Sequence, residues 1–248
     1  MTWIYISPHF DDVALSCGGL VWEQSQAREN VQVWTICAGE VPPGPLSPFA
    51  AVLHSRWQAG PNAPAERRIE DLNACRAMGV KHRHFDLPDC IYRRGVDQDT
   101  HLYTSEEDIF GSIHPEEEGL VDRLAAELKK KIPAQAVVVC PLTLGGHVDH
   151  QLTRAAVEKT GREIWYYADY PYVLSRTDEL EALRQSGWQP TAFPVSEAGL
   201  EAWIAGVAAY TSQVSTFWPD AIAMRAAIQD LWQSTDCGVQ LWKKNPET

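Results

Sequence analysis

Apolar and polar positions follow two different periods along the first two-thirds of this chain. Short apolar or alternating runs predict strands at residues 3–7, 31–37, 82–87, 136–140 and 163–167. Helical spacing predicts helices at residues 13–28, 65–78, 115–131 and 149–160. The run at 136–140 is nearly all apolar, which is typical of a parallel strand buried on both faces. The alternation therefore predicts an α/β fold with a doubly wound, mostly parallel sheet and helices on both faces.

Two long stretches lack this periodicity. Residues 40–63 are rich in proline and glycine and predict a long loop over one edge of a site. Residues 89–114 are polar and irregular and predict a second functional or flexible loop. Beyond Pro171 the chain is rich in tryptophan and mostly helical in pattern, with a further strand near 187–195. We predict a single domain over 1–248, in which residues from about 171 to 248 pack on the same core.

Composition narrows the range of functions. The chain has 248 residues, 21 of them basic and 33 acidic, which gives a formal net charge of -12. This disfavours a nucleic-acid partner, because polyanions are bound through clustered lysine and arginine. The six cysteines form no CxxC pair, which favours buried reduced thiols over disulfides or a zinc–thiolate site. A signal peptide and a run of ~20 apolar residues are both missing from the pattern, so we expect a cytoplasmic protein without a membrane span.

The first of two polar runs, Pro8-His9-Phe10-Asp11-Asp12, directly follows the first predicted strand. His9 and Asp12 are three residues apart in a turn, a spacing that lets both side chains reach one cation. Imidazole and carboxylate ligands suit zinc with an open position for water. One of the two carboxylates can then bind metal while the other accepts a proton. Helix capping by aspartate is the alternative, but it accounts for one aspartate and not for the neighbouring histidine.

The second run, His147-Val148-Asp149-His150, follows the apolar strand at 136–140. One of its histidines can complete the metal site while the other faces substrate. Asp149 can hold the His147 imidazole through a ring N–H, which fixes its tautomer and raises its basicity. Because ligands of open α/β sheets bind outside the carboxyl ends of strands, we expect both runs to point into one crevice. Together the two runs favour a metal-dependent hydrolase.

These runs resemble the motifs of the PIG-L or LmbE-like family of zinc-dependent N-acetylglucosaminyl deacetylases. That family carries (Pro/Ala)-His-Pro-Asp-Asp after its first strand and His-x-Asp-His after a later one. Four further segments also resemble family members: Cys17-Gly18-Gly19, Arg67-Arg68-Ile69-Glu70, Tyr170-Pro171-Tyr172 and Tyr210-Thr211-Ser212-Gln213. Phe10 replaces the usual proline, a departure that removes no ligand but bears on the turn and the pocket wall.

The resemblance implies a Rossmann-like LmbE fold and a role for each motif residue. The implied ligands of one zinc ion per chain are His9, Asp12 and His150, a donor set that also accepts iron or cobalt. Asp11 would be the general base for a water on that metal, which attacks the amide carbonyl. His147 would stabilise the oxyanion and protonate the leaving amine, with Asp149 as its orienting partner.

The implied substrate is a small N-acetylated amino-sugar conjugate of the N-acetylglucosamine type, contacted by Arg67 and Asp89. For Arg67, an exposed pairing with Asp71 is the alternative. Tyr170 and Tyr172 follow a predicted strand end and are the aromatics most expected to reach the crevice, whereas the others favour the core. Exposed aromatics in the C-terminal part leave room for a homo-oligomer.

Two other functions fit the same motifs. The first is a metal-dependent deacylase of a non-sugar amide, with a phosphodiesterase ranked lower because extra carboxylates for a second metal are not evident. The second is a non-catalytic, metal-binding relative. A dinucleotide-binding module is disfavoured, since no G-x-G-x-x-G follows the first strand. Substrate specificity depends on the two long loops, and their sequences do not indicate which substrate binds.

Overall fold

The computed structural model describes residues 1–58, 60 and 62–245. Its strands are β1 (Thr2–Ser7), β2 (Asn30–Thr35), β3 (Lys81–His84), β4 (Val137–Pro141), β5 (Glu163–Tyr167), β6 (Trp188–Pro194) and β7 (Gly238–Lys244). Its α-helices are α1 (Asp12–Gln26), α2 (Pro48–Arg56), α3 (Ala63–Ala77), α4 (Glu106–Ile109), α5 (Glu118–Lys131), α6 (Val148–Glu158), α7 (Thr177–Gln185), α8 (Glu197–Ala208), α9 (Thr211–Phe217) and α10 (Ala221–Ser234). Short 3-10 turns lie at Cys90–Tyr92, Pro115–Glu117 and Tyr172–Leu174. Within the described ranges, no helix is long and apolar enough to cross a membrane.

The strands of this part of the chain form one sheet in the order β3-β2-β1-β4-β5-β7-β6. β1 to β5 run parallel to one another, and β7 is antiparallel to both β5 and β6. The predicted doubly wound, mostly parallel α/β fold is confirmed. The chain winds outward in one direction from β1 and in the other from β4, so the topological switch point lies between these two strands. The two polar runs follow β1 and β4, which places them at the usual ligand site of such sheets.

The first helix is fixed by a close approach of α8. A Cβ on Gly18 would lie 2.7 Å from Cδ1 of Trp203, and one on Gly19 would lie 2.8 Å from Val195. The Trp203 indole donates a hydrogen bond to the Ala14 carbonyl at 2.6 Å. Only glycine leaves room for this tryptophan, which anchors the first turns of α1 and therefore the end of the first motif.

The stretch at 40–63 differs from its prediction as a loop, because it contains α2. Ser47 caps this helix, its hydroxyl accepting the Ala50 N–H at 3.0 Å, and Pro48 occupies the first turn. Ser-Pro is a helix-start signal, outweighed in the sequence by the surrounding prolines and glycines. Leu53 of α2 packs in a cluster with Ile91 and other buried residues. Residues 59 and 61 of this predicted loop lie outside the described residues.

The second predicted loop, 89–114, is irregular as expected but is tied to the core rather than free. It contains the turn at Cys90–Tyr92 and the short helix α4. Arg93 and Tyr103 within it are buried. Both contact Glu117, which itself is buried at the start of α5. A buried ion pair therefore stabilises a segment whose polarity suggested exposure.

The C-terminal part contains a strand that periodicity over this region did not predict. The predicted strand near 187–195 corresponds to β6, but the chain after α10 returns as β7 rather than as helix. β7 lies between β5 and β6 and pairs with β6 over seven residues, from Gly238 to Lys244. Its alternating Val239 and Leu241 face the same buried cluster, and this short alternation was the available signal.

Candidate metal centre and active site

His9 and Asp12 meet at the carboxyl end of β1. The backbone N–H of His9 donates to Oδ2 of Asp12 at 2.7 Å, and His9 Nδ1 lies 3.5 Å from the same oxygen. The other ring nitrogen, Nε2, donates to Oδ2 of Asp149 at 3.0 Å. Ser7 stabilises the turn, because its hydroxyl accepts the Val13 N–H at 3.2 Å.

His150 approaches Asp12 from the first turn of α6. Its Nε2 lies 3.4 Å from Oδ1 of Asp12, and its Nδ1 donates to Oδ1 of Asp169 at 2.6 Å. Asp169 follows β5 and is itself fixed by the Leu144 N–H, which donates to Oδ2 at 3.0 Å. Both imidazoles thus present one nitrogen to Asp12 and bind a buried carboxylate with the other.

This arrangement fits a metal ion. Tetrahedral ligands at ~2.1 Å from a metal lie about 3.4 Å apart, and the two distances from Asp12 to the imidazoles are 3.4 and 3.5 Å. Metal-bound histidines usually donate their second N–H to a carboxylate, as His9 and His150 do. A second donor group, made by the imidazoles of His9, His147 and His150, has its ligand atoms within 4.8 Å of one another.

Asp11 contacts Arg67, whereas Asp12 faces the two imidazoles. Oδ1 of Asp11 accepts a hydrogen bond from Arg67 Nη2 at 3.1 Å. Asp11 occupies the N-cap position of α1 without a side-chain capping bond, and Asp12 accepts from His9 instead. The capping explanation of the two aspartates is therefore wrong.

Arg67 is buried on α3, 7% exposed, with its guanidinium 5.5 Å from the Phe10 ring and 5.2 Å from that of Trp57. The alternative of an exposed pairing with Asp71 is wrong, because Asp71 binds the His84 imidazole at 2.7 Å. Phe10, which stands in place of the family's proline, lies against Arg67. It is buried between the Arg67 guanidinium and the edge of His84, 5.4 Å away.

His147 is held by the backbone of Asp149 and not by its carboxylate. The Asp149 N–H donates to Nδ1 of His147 at 3.2 Å, which places the imidazole at the N-cap of α6. The Asp149 carboxylate instead accepts hydrogen bonds from His9, from the Cys90 N–H at 3.0 Å and from Arg93 at 2.5 Å. The prediction that Asp149 orients His147 through a ring N–H is wrong in this detail. The α6 N-terminus gives His147 its backbone partner and leaves the carboxylate for His9.

Gly145 and Gly146 bend the chain before this histidine with φ angles of +80° and +74°, a left-handed conformation that favours glycine.

One cavity of about 270 Å³ collects these groups. The predicted residues His9, Asp11, Asp12, Arg67, Asp89, His147 and His150 all line it, and Asp149 lies behind His9. Its other walls are mostly apolar and come from α2, α4, α9 and the Tyr170–Tyr172 segment: Leu53, Trp57, Ile109, Phe110, Tyr170, Tyr172 and Phe217. Tyr170 and Tyr172 thus reach the crevice as predicted.

Comparison with known proteins identifies the family of this chain. Residues 4–160 match the model of the PIG-L family, described as GlcNAc-PI de-N-acetylase. This protein belongs to the PIG-L family. A 2'-N-acetylparomamine deacetylase of Streptomyces fradiae is 30% identical over 220 residues, which cover 85% of this chain and 72% of that protein.

Two solved structures are similar over nearly all of both chains. The zinc-inhibited form of a teicoplanin deacetylase superposes with a TM-score of 0.82 at 26% identity, covering 100% of each chain. The deacetylase of the A40926 pseudoaglycone has a TM-score of 0.72 at 26% identity, covering 96% of this chain and 95% of that one. The predicted family and enzyme class, a deacetylase that hydrolyses an amide, are confirmed.

Burial and neighbouring charge set the ionisation of this PIG-L site. Burial raises the pKa of Asp11 above its usual value, although the Arg67 guanidinium opposes this shift. For Asp12, burial also raises the pKa, but His150 and His9 outweigh it and hold the pKa well below its usual range. Burial, and then the charge of His9, hold the pKa of His147 well below its usual value. The expectation of a raised basicity at His147 is therefore not met, and its imidazole is neutral in this environment.

The pKa of His150 is shifted in the opposite direction, upwards. Burial lowers its pKa, but the carboxylates of Asp12 and Asp169 outweigh burial and raise the pKa to about 9. Such a strong attraction for positive charge is what a cation-binding position requires.

Two residues of this site were missed in the sequence. Asp169 follows β5 at the same carboxyl edge as both motifs, and this position was its only signal. Arg93 binds Asp149 from the second long stretch and pairs with Glu117 at 2.5 Å. Its partners lie 56 and 24 residues away in the chain, so no local pattern points to it.

Proposed function

We propose that this protein removes the acetyl group from an N-acetylated amino sugar carried on a larger conjugate, with one zinc ion per chain as its resident metal. The observation that carries the proposal is that side chains of both motifs line one cavity of about 270 Å³. According to their names, the relatives above deacetylate 2'-N-acetylparomamine, teicoplanin and the A40926 pseudoaglycone, which supports an acetylated conjugate as the substrate.

His9 Nδ1, His150 Nε2 and the Asp12 carboxylate would hold the metal. We favour Asp12 over His147 as the third ligand because its two oxygens face the two imidazoles, at 3.5 and 3.4 Å. A divalent metal there supplies a Lewis acid that polarises the amide carbonyl and activates water. Zinc suits two imidazoles and a carboxylate, but iron or cobalt accept the same donors.

Asp11 would act as the general base. Arg67 holds its Oδ1 at 3.1 Å, and the side chain lines the cavity, so that the second oxygen can accept a proton from the attacking water. Burial raises the pKa of Asp11, which makes it a better proton acceptor than an exposed aspartate.

His147 would stabilise the oxyanion. The predicted role as acid for the leaving amine does not suit a ring whose pKa is held well below its usual value, so the proton that Asp11 takes from the attacking water would pass to the amine. Nδ1 of His147 accepts the Asp149 backbone N–H, so the neutral ring carries its proton on Nε2. His147 lines the cavity, where an Nε2–H can donate to the developing oxyanion. The Phe110 ring contacts its edge at 5.4 Å and limits its rotation.

Arg67 and Asp89 would contact the sugar. Both line the cavity, and Nε of Arg67 is buried without a hydrogen-bond partner among the described residues. Asp89 Oδ1 accepts the Ile91 N–H, and its Oδ2 lies 3.7 Å from His9 Nε2. Trp57 and Tyr172 add aromatic surface, which suits the apolar face of a pyranose ring.

Amine release from a panel of acetylated compounds tests this proposal. Zinc-loaded protein, a chelated sample and zinc-loaded Asp11→Asn would be compared on N-acetylparomamine, an N-acetylglucosaminyl glycopeptide, free N-acetylglucosamine and an N-acetyl amino acid. We expect metal-dependent release from at least one glycoside, lost in Asp11→Asn. Release only from the amino acid would support a non-sugar deacylase, and no release despite bound metal would support a non-catalytic relative.

We further propose a single cytoplasmic domain. The continuous sheet supports one domain, since β6 and β7 extend the sheet formed by β1 to β5. All six cysteines are free thiols, as is usual in a reducing compartment.

A further inference from the structure

We propose a second, inhibitory metal site beside the catalytic centre, formed by Cys90, His147 and Asp149 and selective for thiophilic divalent ions such as cadmium or excess zinc. This proposal rests on the proposed function and adds a way in which the deacetylase activity is inhibited. Metal bound at this second site can be measured without any deacetylation assay. A failure of this proposal can therefore be told apart from a failure of the proposed function.

The donors are already assembled. One ligand atom from each of Cys90, His147 and Asp149 lies within 4.8 Å of the others. All three residues are buried, with exposures of 0%, 8% and 0%. Thiolate, imidazole and carboxylate are all zinc ligands, and the sulfur favours soft metals over magnesium or calcium.

A second thiol lies against the same carboxylate. Cys37 forms a group with His9 and Asp149 in which the ligand atoms also lie within 4.8 Å of one another. The two groups differ in their imidazole, because His9 already directs Nδ1 towards Asp12 and Nε2 to Asp149. His147 uses Nδ1 for a backbone N–H, and its Nε2 has no hydrogen-bond partner among the described residues. The Cys90 group therefore offers the better site.

The catalytic cavity provides the entry path. His147 lines this cavity, as do Asp89 and Ile91 on either side of Cys90. An entering ion meets the imidazole first and then reaches the buried sulfur and carboxylate.

Binding exchanges a proton for the metal. A cysteine binds metal as the thiolate, so the Cys90 S–H must give up its proton. When the ion binds, the S–H bond breaks, a sulfur–metal bond forms and one proton leaves to solvent. Arg93 competes for the same carboxylate through Oδ1 at 2.5 Å, so this site should bind more weakly than the catalytic one.

A metal bound at this second site inhibits the deacetylation because His147 and Asp149 can no longer play their parts in it. A metal on His147 removes its ring from the oxyanion. A metal on Asp149 competes with the hydrogen bond that orients His9. The Cys90 side chain has no role in the deacetylation proposed above, and the backbone N–H that it donates to Asp149 is kept in Cys90→Ala.

The test is a titration of protein carrying one equivalent of zinc with cadmium at fixed pH. Three readouts are followed: metal bound at equilibrium dialysis, near-ultraviolet sulfur-to-cadmium charge-transfer absorption, and amine release. In the wild type we expect a second bound equivalent, a thiolate absorption band and at least a tenfold loss of activity. Cys90→Ala should lose the band and need at least tenfold more cadmium for inhibition, with unchanged activity before cadmium is added.

Cys75→Ala is the matched control, because Cys75 is almost equally buried, 1% exposed, in the core on α3 and belongs to neither donor group. It should behave like the wild type, as should Cys37→Ala. Should Cys90→Ala fail to bind its first zinc, Cys90→Ser repeats the test with a side chain of similar size. A wild type without a thiolate band, or a band that persists in the Cys90 variant, overturns the proposal. Loss of the band in Cys37→Ala alone also overturns it, in favour of the His9 group.

Discussion

Asp169→Asn is the substitution that most directly tests how the metal ligands are held. The Asp169 carboxylate accepts two N–H groups at once, His150 Nδ1 at 2.6 Å and the Leu144 N–H at 3.0 Å. Asparagine has nearly the same shape but only one oxygen. One of the two N–H groups must therefore face the amide nitrogen, which is itself a donor.

The expected loss appears in both metal binding and folding. Changing such an outer partner of a metal ligand typically costs 10–100-fold in metal affinity, or about 1.4–2.7 kcal/mol. If the Leu144 N–H loses its acceptor instead, the unpaired buried group lowers the free energy of unfolding by about 1–3 kcal/mol. Both effects follow from Asp169 being 1% exposed, where water cannot replace the lost acceptor.

A chelator competition would measure metal affinity, and urea unfolding of the metal-free protein would measure stability. Asp71→Asn is the matched control, since Asp71 is also a fully buried carboxylate that binds a histidine, His84 Nε2 at 2.7 Å, outside the metal donors. We expect both variants to lose stability and only Asp169→Asn to lose metal affinity. A folded Asp169→Asn protein that binds zinc within twofold of the wild type would refute the reasoning.

Three further predictions test the site and the turn before it. Asp11→Asn should bind one metal normally yet lose about 10²–10⁴-fold in kcat, as expected for a lost general base. Near-normal turnover of the metal-loaded variant would exclude Asp11 as the base. Chelation should abolish amine release, and one equivalent of zinc should restore it, whereas His150→Ala should fail to bind that equivalent. Gly145→Ala should destabilise the fold by about 1–3 kcal/mol and raise KM, because φ is +80° and the new Cβ would lie 2.7 Å from Tyr172 in the cavity wall. Gly161→Ala is the control for backbone strain alone, with φ at +69° and nothing within 4 Å; an equal urea midpoint for both variants would rule out the contact.

Roles that depend on neighbours in the chain could be predicted from the sequence. The run His9 to Asp12 and the run His147 to His150 each follow an apolar strand, and parallel strands direct their carboxyl ends to one edge of a sheet. Once the doubly wound order was predicted, the meeting of both runs followed from the topology. The separate directions of Asp11 and Asp12 also follow from their adjacency at a helix start.

The tertiary structure alone decided the contacts between distant segments. Arg93 reaches Asp149 across 56 residues, and His150 reaches Asp169 across 19. Asp149 could bind either His147 or His9 on the sequence evidence, and the fold placed its carboxylate on His9. A side chain's partner is chosen by what burial brings within hydrogen-bond reach, and burial of a polar group is tolerated only where such a partner exists.

The insertion of β7 between β5 and β6 has the same cause. A seven-residue run such as Gly238–Lys244 has weak local preference. It becomes a strand because two exposed strand edges satisfy its backbone hydrogen bonds, and only the assembled sheet provides those edges. The sequence by itself determined the motifs and the type of sheet that presents them, whereas long-range packing and hydrogen bonding decided which buried groups hold them in place.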